Sequence, residues 1–533
     1  MSTSNYLSEV INSETIQSWE GKNVLIESGT NTGKSHFILY KLREYAKANN
    51  KKMLLLVPRI SIKKQFKEKI EKFDDGVIEL QSYQYVENIC KENTEDANKR
   101  IDNILAKYDF IIMDEAQYFE TDASINPQTE LSLNAILRNK HTHIFVTATA
   151  KRIRHYLEDI IKIKLENVFF NPGNNRNIST LYFYNDDDDL YSMIDMAVAY
   201  KTKCIVFVNK IEEGVALFKR YQNYSLFYCS EGKDEYEMYT DKEEVQFMIE
   251  NEKFRKLILI ATSVLDAGFN IRDSDLHHIF IHGISDMNTI EQFIGRKRSN
   301  PDVISDTISV YIKAISNQSI SGRKRTLANN LVPVDYFREH GSTNYLKRYP
   351  RKHDFYEIIY GKPVEGDESG KCYLLINEIR DYHYRCDLEE LTEMLTYKDK
   401  ENTARKVKKD NASAFKFYVI ERLNVDPSHC EDIRKMEVIC NLEEYLNNLA
   451  FREDKGVMLS PANREDFLDT IRTITSREKI KTAKVLNDLF IHEYHIPYYI
   501  RTFETSRIEN DKKKNYRCAW EIEYDPNIIA DYC

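Results

Sequence analysis

The chain has 533 residues, 42% hydrophobic and 30% charged, enough for two to four soluble domains with real cores. A formal net charge of −9 excludes a protein basic over its whole surface but leaves room for a local basic groove. No stretch approaches the roughly 20 apolar residues of a membrane helix, and the N-terminal MSTSNYLSEVINSE has neither the basic start nor the apolar run of a secretory signal, so a cytoplasmic protein off the membrane is expected. The nine cysteines are scattered without a C-x-x-C pair, which points to reduced thiols rather than a zinc site or a disulfide framework.

In chain order, NVLIES (23–28) reads as a short buried strand running into the loop SGTNTGKS (28–35), and HFILYKLREYAKANN after it as a helix. KMLLLVP is a second apolar strand and ISIKKQFKEKIEKF a second helix. FIIMDEA (110–116) is an apolar strand ending in carboxylates, and HIFVTATA (143–150) another ending in small polar residues. Strands alternating with helices imply a parallel sheet with helices on both faces. Near the aspartate run at 186–189 the alternation restarts: KCIVFV (203–208), KLILIAT (256–262), HHIFIHG (277–283) and TISVYIKA (307–314) are strand-like. After about residue 325 the chain is charged, Tyr-rich and mostly helical in pattern, with a late strand expected within 517–526. The predicted division is 1–178, 179–325 and 326–533.

The loop at 28–35 has the needs of phosphate binding: backbone N–H groups turned to one point and a helix N-terminus behind them. Gly29 and Gly33 give the backbone its freedom, and Asn31 is among the few other residues that tolerate positive φ. With Thr30 and Thr32 they form the cradle; Lys34 would reach the β- and γ-phosphates, and the Ser35 hydroxyl would ligand Mg²⁺. In DEAQ, Asp114 at a strand end would hold Mg²⁺ through water, and Glu115 would orient and deprotonate an attacking water.

These segments, in this order, resemble the motifs of superfamily 2 DEAD/DEAH-like helicases and translocases, with DEAQ as the box variant. SGTNTGKS resembles motif I, with Ser28 for Ala, Asn31 for Gly and Ser35 for Thr. LLLVPRISIKKQ (54–65) resembles motif Ia, LQSYQYV (80–86) the segment that follows it, and TAT (147–149) motif III. VFVNKIEEGVALF (206–218) resembles motif IV, ATSVLDAGFNI (261–271) motif V, and QFIGRKR (292–298) motif VI, whose second arginine comes one place early at Arg298.

The resemblance implies two tandem RecA-like P-loop domains plus a mainly helical C-terminal domain, with ATP and Mg²⁺ in the cleft between the first two. Lys34, Ser35, Asp114 and Glu115 would stand on one wall, and Gln292, Arg296 and Arg298 on the other, with Gly268 and Asn270 also at the nucleotide. Nucleic acid would lie across both domains, contacted by Pro58, Arg59, Ser82 and Tyr83 of the first and Asn209, Lys210, Thr262 and Ser263 of the second; Thr147 and Thr149 would couple the two events. Basic runs at 322–325, 346–352, 405–409 and 512–514, with Tyr345 and Tyr349, offer an extension of the track. Gln17 reads either as an adenine contact or as a helix-surface residue. The expected activity is an ATP-dependent helicase or translocase, on DNA rather than RNA, with a replication or repair partner at the C-terminal region. The alternative is an ATP-gated clamp or sensor with slow turnover.

Overall fold

The computed structural model describes residues 6–29, 32–58, 60–92, 94–170, 178–229, 236, 238–262, 270–298, 306–351, 353–354, 357–363, 372–399, 412–452, 456–477, 479–509 and 512–528. The first unit holds β1 (Asn23–Ser28), β2 (Met53–Val57), β3 (Ile78–Ser82), β4 (Phe110–Asp114), β5 (Thr142–Thr147) and β6 (Leu165–Phe170). They form one six-stranded sheet in the order β3-β2-β4-β5-β1-β6, every neighbouring pair parallel. Alternate residues of each strand feed opposite cores. Leu25, Leu54, Leu56, Ile111, Met113 and Phe145 pack on one face. Val24, Ile26, Leu55, Ile112, Ile144 and Val146 pack on the other. Burial on both faces is why these strands read as unbroken apolar runs.

The second unit repeats the plan with β7 (Ile178–Tyr184), β8 (Lys203–Val208), β9 (Ser225–Tyr228), β10 (Ile258–Ala261), β11 (Leu276–His282) and β12 (Ile308–Lys313). The C-terminal region adds the hairpin β13 (Ile359–Pro363) and β14 (Cys372–Ile376), the short β15 (Cys430–Asp432), and the long hairpin β16 (Tyr498–Glu509) and β17 (Lys512–Tyr524). β15 joins the second sheet at its edge, giving the all-parallel order β15-β7-β12-β11-β8-β10-β9. The four aspartates at 186–189 start a helix: Asp186 caps Asp187–Ala199 in a reciprocal capping box with Asp189.

Residues after 326 do not share one core. Ile379 and Tyr382 of the helix Glu378–Thr396 pack into the first unit. Leu391 and Met394 of the same helix, with Phe415 and Val419 of the helix Ser413–Leu423, pack into the second. Two cores belong to this region alone among the described residues: one around Leu331, Val334, Tyr345 and Ile359, and one from about Leu442 to Ile522, around Leu446, Ile471, Phe490 and Trp520. Tyr345 is fully buried against Phe337 and Tyr349, so it offers no face for a base to stack on. No helix among the described residues is long and apolar enough to cross a membrane.

Candidate active site

In a parallel sheet all strands end on one edge, and that edge gathers the motif residues. β1 ends at Ser28, β4 at Asp114 and β5 at Thr147. After β1 the chain turns at Gly33, whose φ of 82° suits glycine, and a Cβ there would lie 3.3 Å from the Tyr6 ring. A helical run follows from Lys34 to Ala48, with a π-helical stretch at Phe37–Leu42. Ser28, where the related motif has alanine, is fully buried and satisfied: its hydroxyl bonds Thr32 Oγ1, which donates to the Gly29 carbonyl at 2.8 Å. Lys34 Nζ donates to the carbonyls of Ser28 (2.9 Å) and Gly29 (3.0 Å). Ser35 is exposed beside it. Thr30 and Asn31 lie outside the described residues.

At the acid box the backbone turns sharply. Glu115 has φ 51°, a left-handed conformation that costs a non-glycine residue about 1 kcal/mol or more. Two bonds fix it: Ala116 N–H donates to the Val146 carbonyl (2.9 Å), and the Tyr83 hydroxyl donates to the Asp114 carbonyl (2.9 Å). From Glu115 a chain of hydrogen bonds runs to the next motif. Gln117 Nε2 donates to Glu115 (3.0 Å), Thr147 Oγ1 donates to Gln117 Oε1 (2.5 Å), and the Thr149 N–H donates to Thr147 Oγ1 (3.0 Å). Burial and the adjacent Glu115 charge raise the Asp114 carboxyl to about 7, against the opposing pull of Lys34 and Arg296. Burial lowers the Lys34 ammonium, offset in part by the carboxylates of Glu115 and Asp114.

The facing wall is built on the segment after the helix Met287–Ile294, which is capped by Asp286 (Thr289 N–H to its carboxylate, 2.7 Å). Residues 296–298 pair with Ile271: its N–H donates to the Arg296 carbonyl, and the Arg298 N–H donates to its carbonyl, both at 2.9 Å. Extended backbone sends alternate side chains opposite ways. Lys297 turns inward, donating to the Asp273 carbonyl (2.8 Å) and ion-pairing with Asp306 (2.6 Å), both buried. Arg296 and Arg298 turn to the cleft. Their charges both bear on Lys34, Arg296 bears on Asp114, and Arg298 feels Glu115. Burial, with Arg296 and Arg272 nearby, lowers the Arg298 guanidinium. Asn270 accepts from Arg298 Nε at 2.8 Å, so it holds an arginine of this wall. Gly268 lies outside the described residues. Gln292 shares a cavity of about 320 Å³ with Glu115 and Gln117 of the first wall.

The residues expected to touch nucleic acid divide. Asn209 and Lys210 are exposed at the end of β8, with Lys210 Nζ 3.8 Å from Glu213. Thr262 is buried, its N–H donating to the Tyr228 carbonyl (3.3 Å). Ser82 is nearly buried, and Pro58 lines the cavity with its carbonyl taken by Gln84 (2.9 Å). Tyr83 is a correction: it is fully buried, stacked on Tyr118 with ring centroids 4.6 Å apart, and its hydroxyl holds Asp114, leaving no surface for a strand. Arg59 and Ser263 lie outside the described residues. Gln17 is exposed on the helix Ser13–Ser18.

One cluster carried no sequence signal. Arg152, just past Thr149, ion-pairs with Glu120 (3.1 Å), Asp387 (2.8 Å) and Glu390 (2.5 Å), and His383 bonds Glu120 at 2.8 Å. The helix Glu378–Thr396 is thereby locked to the first unit beside the cavity. Burial opposes the charge on His383, but Glu120 and Asp387 outweigh it and hold its pKa above the ordinary value.

Among solved structures the chain is similar to S. cerevisiae Dbp5 bound to RNA and ADP BeF3, at 16% identity, covering 55% of this chain and 78% of that one, with a TM-score of 0.40. It is similar to the DEAD-box helicase Mss116 bound to ssRNA and UDP-BeF, at 13% identity, covering 61% and 72%, TM-score 0.45. It is also similar to the Escherichia coli DEAH/RHA helicase HrpB, at 10% identity, covering 79% and 60%, TM-score 0.40. At these TM-scores the likenesses carry no weight of their own. No curated protein matches the chain. Residues 9–156 match the family model described as DEAD/DEAH box helicase. That span holds the phosphate loop, the acid box and the threonine pair on one parallel sheet, and on this match the first unit is a DEAD/DEAH box helicase domain.

Proposed function

We propose that the chain is an ATP-dependent nucleic-acid helicase or translocase that hydrolyses ATP between its two parallel-sheet units. The observation that carries the reading is the facing of Lys34, Asp114 and Glu115 by Arg296 and Arg298 from a separate sheet. Lys34 exchanges its two loop carbonyls for the β- and γ-phosphates, the helix behind it adding the field of its N–H groups. Glu115, aimed by its left-handed backbone and by Gln117, takes the proton from the attacking water. Arg296 and Arg298 stabilise charge on the transferring phosphoryl group, worth ~10³-fold or more in rate, and only when the second unit is closed on the first.

The residues fit Mg²⁺ as a companion of the phosphates. Ser35 offers an exposed hydroxyl and Asp114 a buried carboxyl crowded by Glu115, a repulsion that a cation relieves. Among the described residues no group of three or more His, Cys, Asp or Glu makes a cage, in keeping with an ion held largely by phosphate oxygens and water. Bound there, Mg²⁺ supplies charge neutralisation at the phosphates.

Movement follows from the wiring. The chain Glu115–Gln117–Thr147–Thr149 passes the state of the acid box to the start of the helix Lys151–His155. Asn209 and Lys210, exposed on the second unit, are the contacts we assign to the phosphate backbone of the strand. Phosphate release from ATP tests the reading, measured with and without single-stranded DNA, duplex DNA and RNA, beside Glu115→Gln. We expect stimulation by one polymer and a loss of about 10²–10⁴-fold in the variant. Turnover indifferent to every polymer would contradict it.

A further inference from the structure

The last hairpin differs along its length. At its base, Tyr498, Ile500, Trp520 and Ile522 are buried in the core of the C-terminal segment. The base cation is neutralised across the strands: Arg501 pairs with Glu521 and Glu523. A register shift falls between Phe503 and Thr505. Beyond it none of the described residues is buried, and the strands form a two-stranded sheet with no third strand. Five residues, Thr505 to Glu509, extend roughly 17 Å at about 3.4 Å each.

The charge of this free half is out of keeping with the chain. Described residues 505–509 and 512–517 carry Arg507, Lys512, Lys513, Lys514 and Arg517 against Glu509 alone, and Asp511 adds one acid by sequence, in a protein of net charge −9. Among the described residues Arg507, Lys513 and Arg517 make no ion pair. The register places Arg507 directly opposite Lys514, two cations side by side on the ribbon. Arg507, Lys512, Lys514 and Tyr516 share one face with a single acid position, Glu509 opposite Lys512, and Lys514 Nζ lies 5.2 Å from the centre of the Tyr516 ring. Cations spaced along a free ribbon match a regular polyanion.

We propose that the distal half of the β16–β17 hairpin is a duplex-DNA-binding arm, entering the major groove and gripping phosphates with Arg507, Lys512 and Lys514. A two-stranded ribbon fits the roughly 12 Å major groove of B-form DNA, whereas the deep, narrow groove of A-form RNA excludes it. The inference rests on the reading of the chain as one that acts on nucleic acid, and it names the duplex.

The test is fluorescence anisotropy of the full chain without nucleotide, over a range of salt, on duplex DNA of two helical turns, duplex RNA and single-stranded DNA. The variants are the triple Arg507→Ala/Lys512→Ala/Lys514→Ala and the charge-keeping Lys512→Arg/Lys514→Arg. For duplex DNA we expect the triple variant to bind roughly tenfold or more weakly and its log–log salt slope to fall by about 2–3, near 0.9 per lost phosphate contact. The arginine variant should bind as the parent, and ATP turnover without polymer should match the parent in both. Parent and triple variant binding duplex DNA alike would overturn the arm, as would an equal loss on single strands or duplex RNA. A parent that binds no nucleic acid at all would instead sink the reading beneath it.

Discussion

On the first wall of the cleft each reactive group is tied to its own sheet. Asp114 is held by Tyr83 through its carbonyl, Glu115 by Gln117, and Gln117 by Thr147. Lys34 rests on the carbonyls of its own loop. On the second wall the anchor is one residue away from the chemistry: Lys297 is locked by Asp273 and Asp306, and it presents Arg296 and Arg298 on either side. In the proposed mechanism the first wall is a finished binding surface. The second is a carrier for positive charge, and its value depends on how near the carrier stands. That division suits a site whose ground state is bound by one unit and whose transition state is stabilised by the other.

The sharpest way to break the first wall is from behind. Arg152→Met leaves Glu120, 1% exposed at its side chain, without its guanidinium. Breaking a buried pair in this way costs about 3–5 kcal/mol, read by chemical denaturation; a loss under about 1 kcal/mol would show the cluster to be loosely packed. His383 adds a pH dependence. Its folded pKa lies above its unfolded value, so its stabilisation is full below the unfolded value and is lost as pH rises through the folded one. Docking of the helix Glu378–Thr396 should therefore loosen on the alkaline side, seen as faster amide exchange there.

Next is the cost stored at the acid box. Asp114 is raised to about 7, so in the nucleotide-free chain its charge opposes folding, fully above that pH and not at all below its unfolded value near 4. Asp114→Asn should stabilise the nucleotide-free protein at pH 8 by on the order of 1–4 kcal/mol, with the gain vanishing toward pH 4. A gain independent of pH would remove the electrostatic explanation. The smallest expected effect is Gln117→Leu, which cuts the chain from Glu115 to Thr149 while leaving Lys34 in place. Turnover should fall roughly 10- to 100-fold with nucleotide affinity unchanged. A loss confined to affinity would move Gln117 from coupling to binding.

The strands β1, β2, β4, β5, β8, β10, β11 and β12 were legible because residues such as those of FIIM and LLLV meet a core on each face. β3, β6, β7 and β9 were not legible as strands; β6 is an edge strand in which only Leu165 is buried, so no apolar run marks it. The site was legible where chemistry demands residue types at fixed spacing, as in the phosphate loop and DEAQ. It was not legible where a role depends on orientation. Tyr83 stands in the expected segment but points inward, and Asn270 meets an arginine. Nor could spacing reveal the Arg152 cluster, in which Asp387 and Glu390 lie more than 230 residues along the chain from Arg152. The basic residues at 512–514 were visible as charge, but only the register with β16 shows which of them share a face with Arg507.

In the proposed mechanism the second unit completes a catalytic site with which the first unit already binds nucleotide. Arg296→Ala tests it most directly, with nucleotide affinity and polymer-stimulated turnover measured on the same preparation. Affinity should stay within a few-fold of the parent and kcat should fall by ~10³. Turnover within a few-fold of the parent would contradict it.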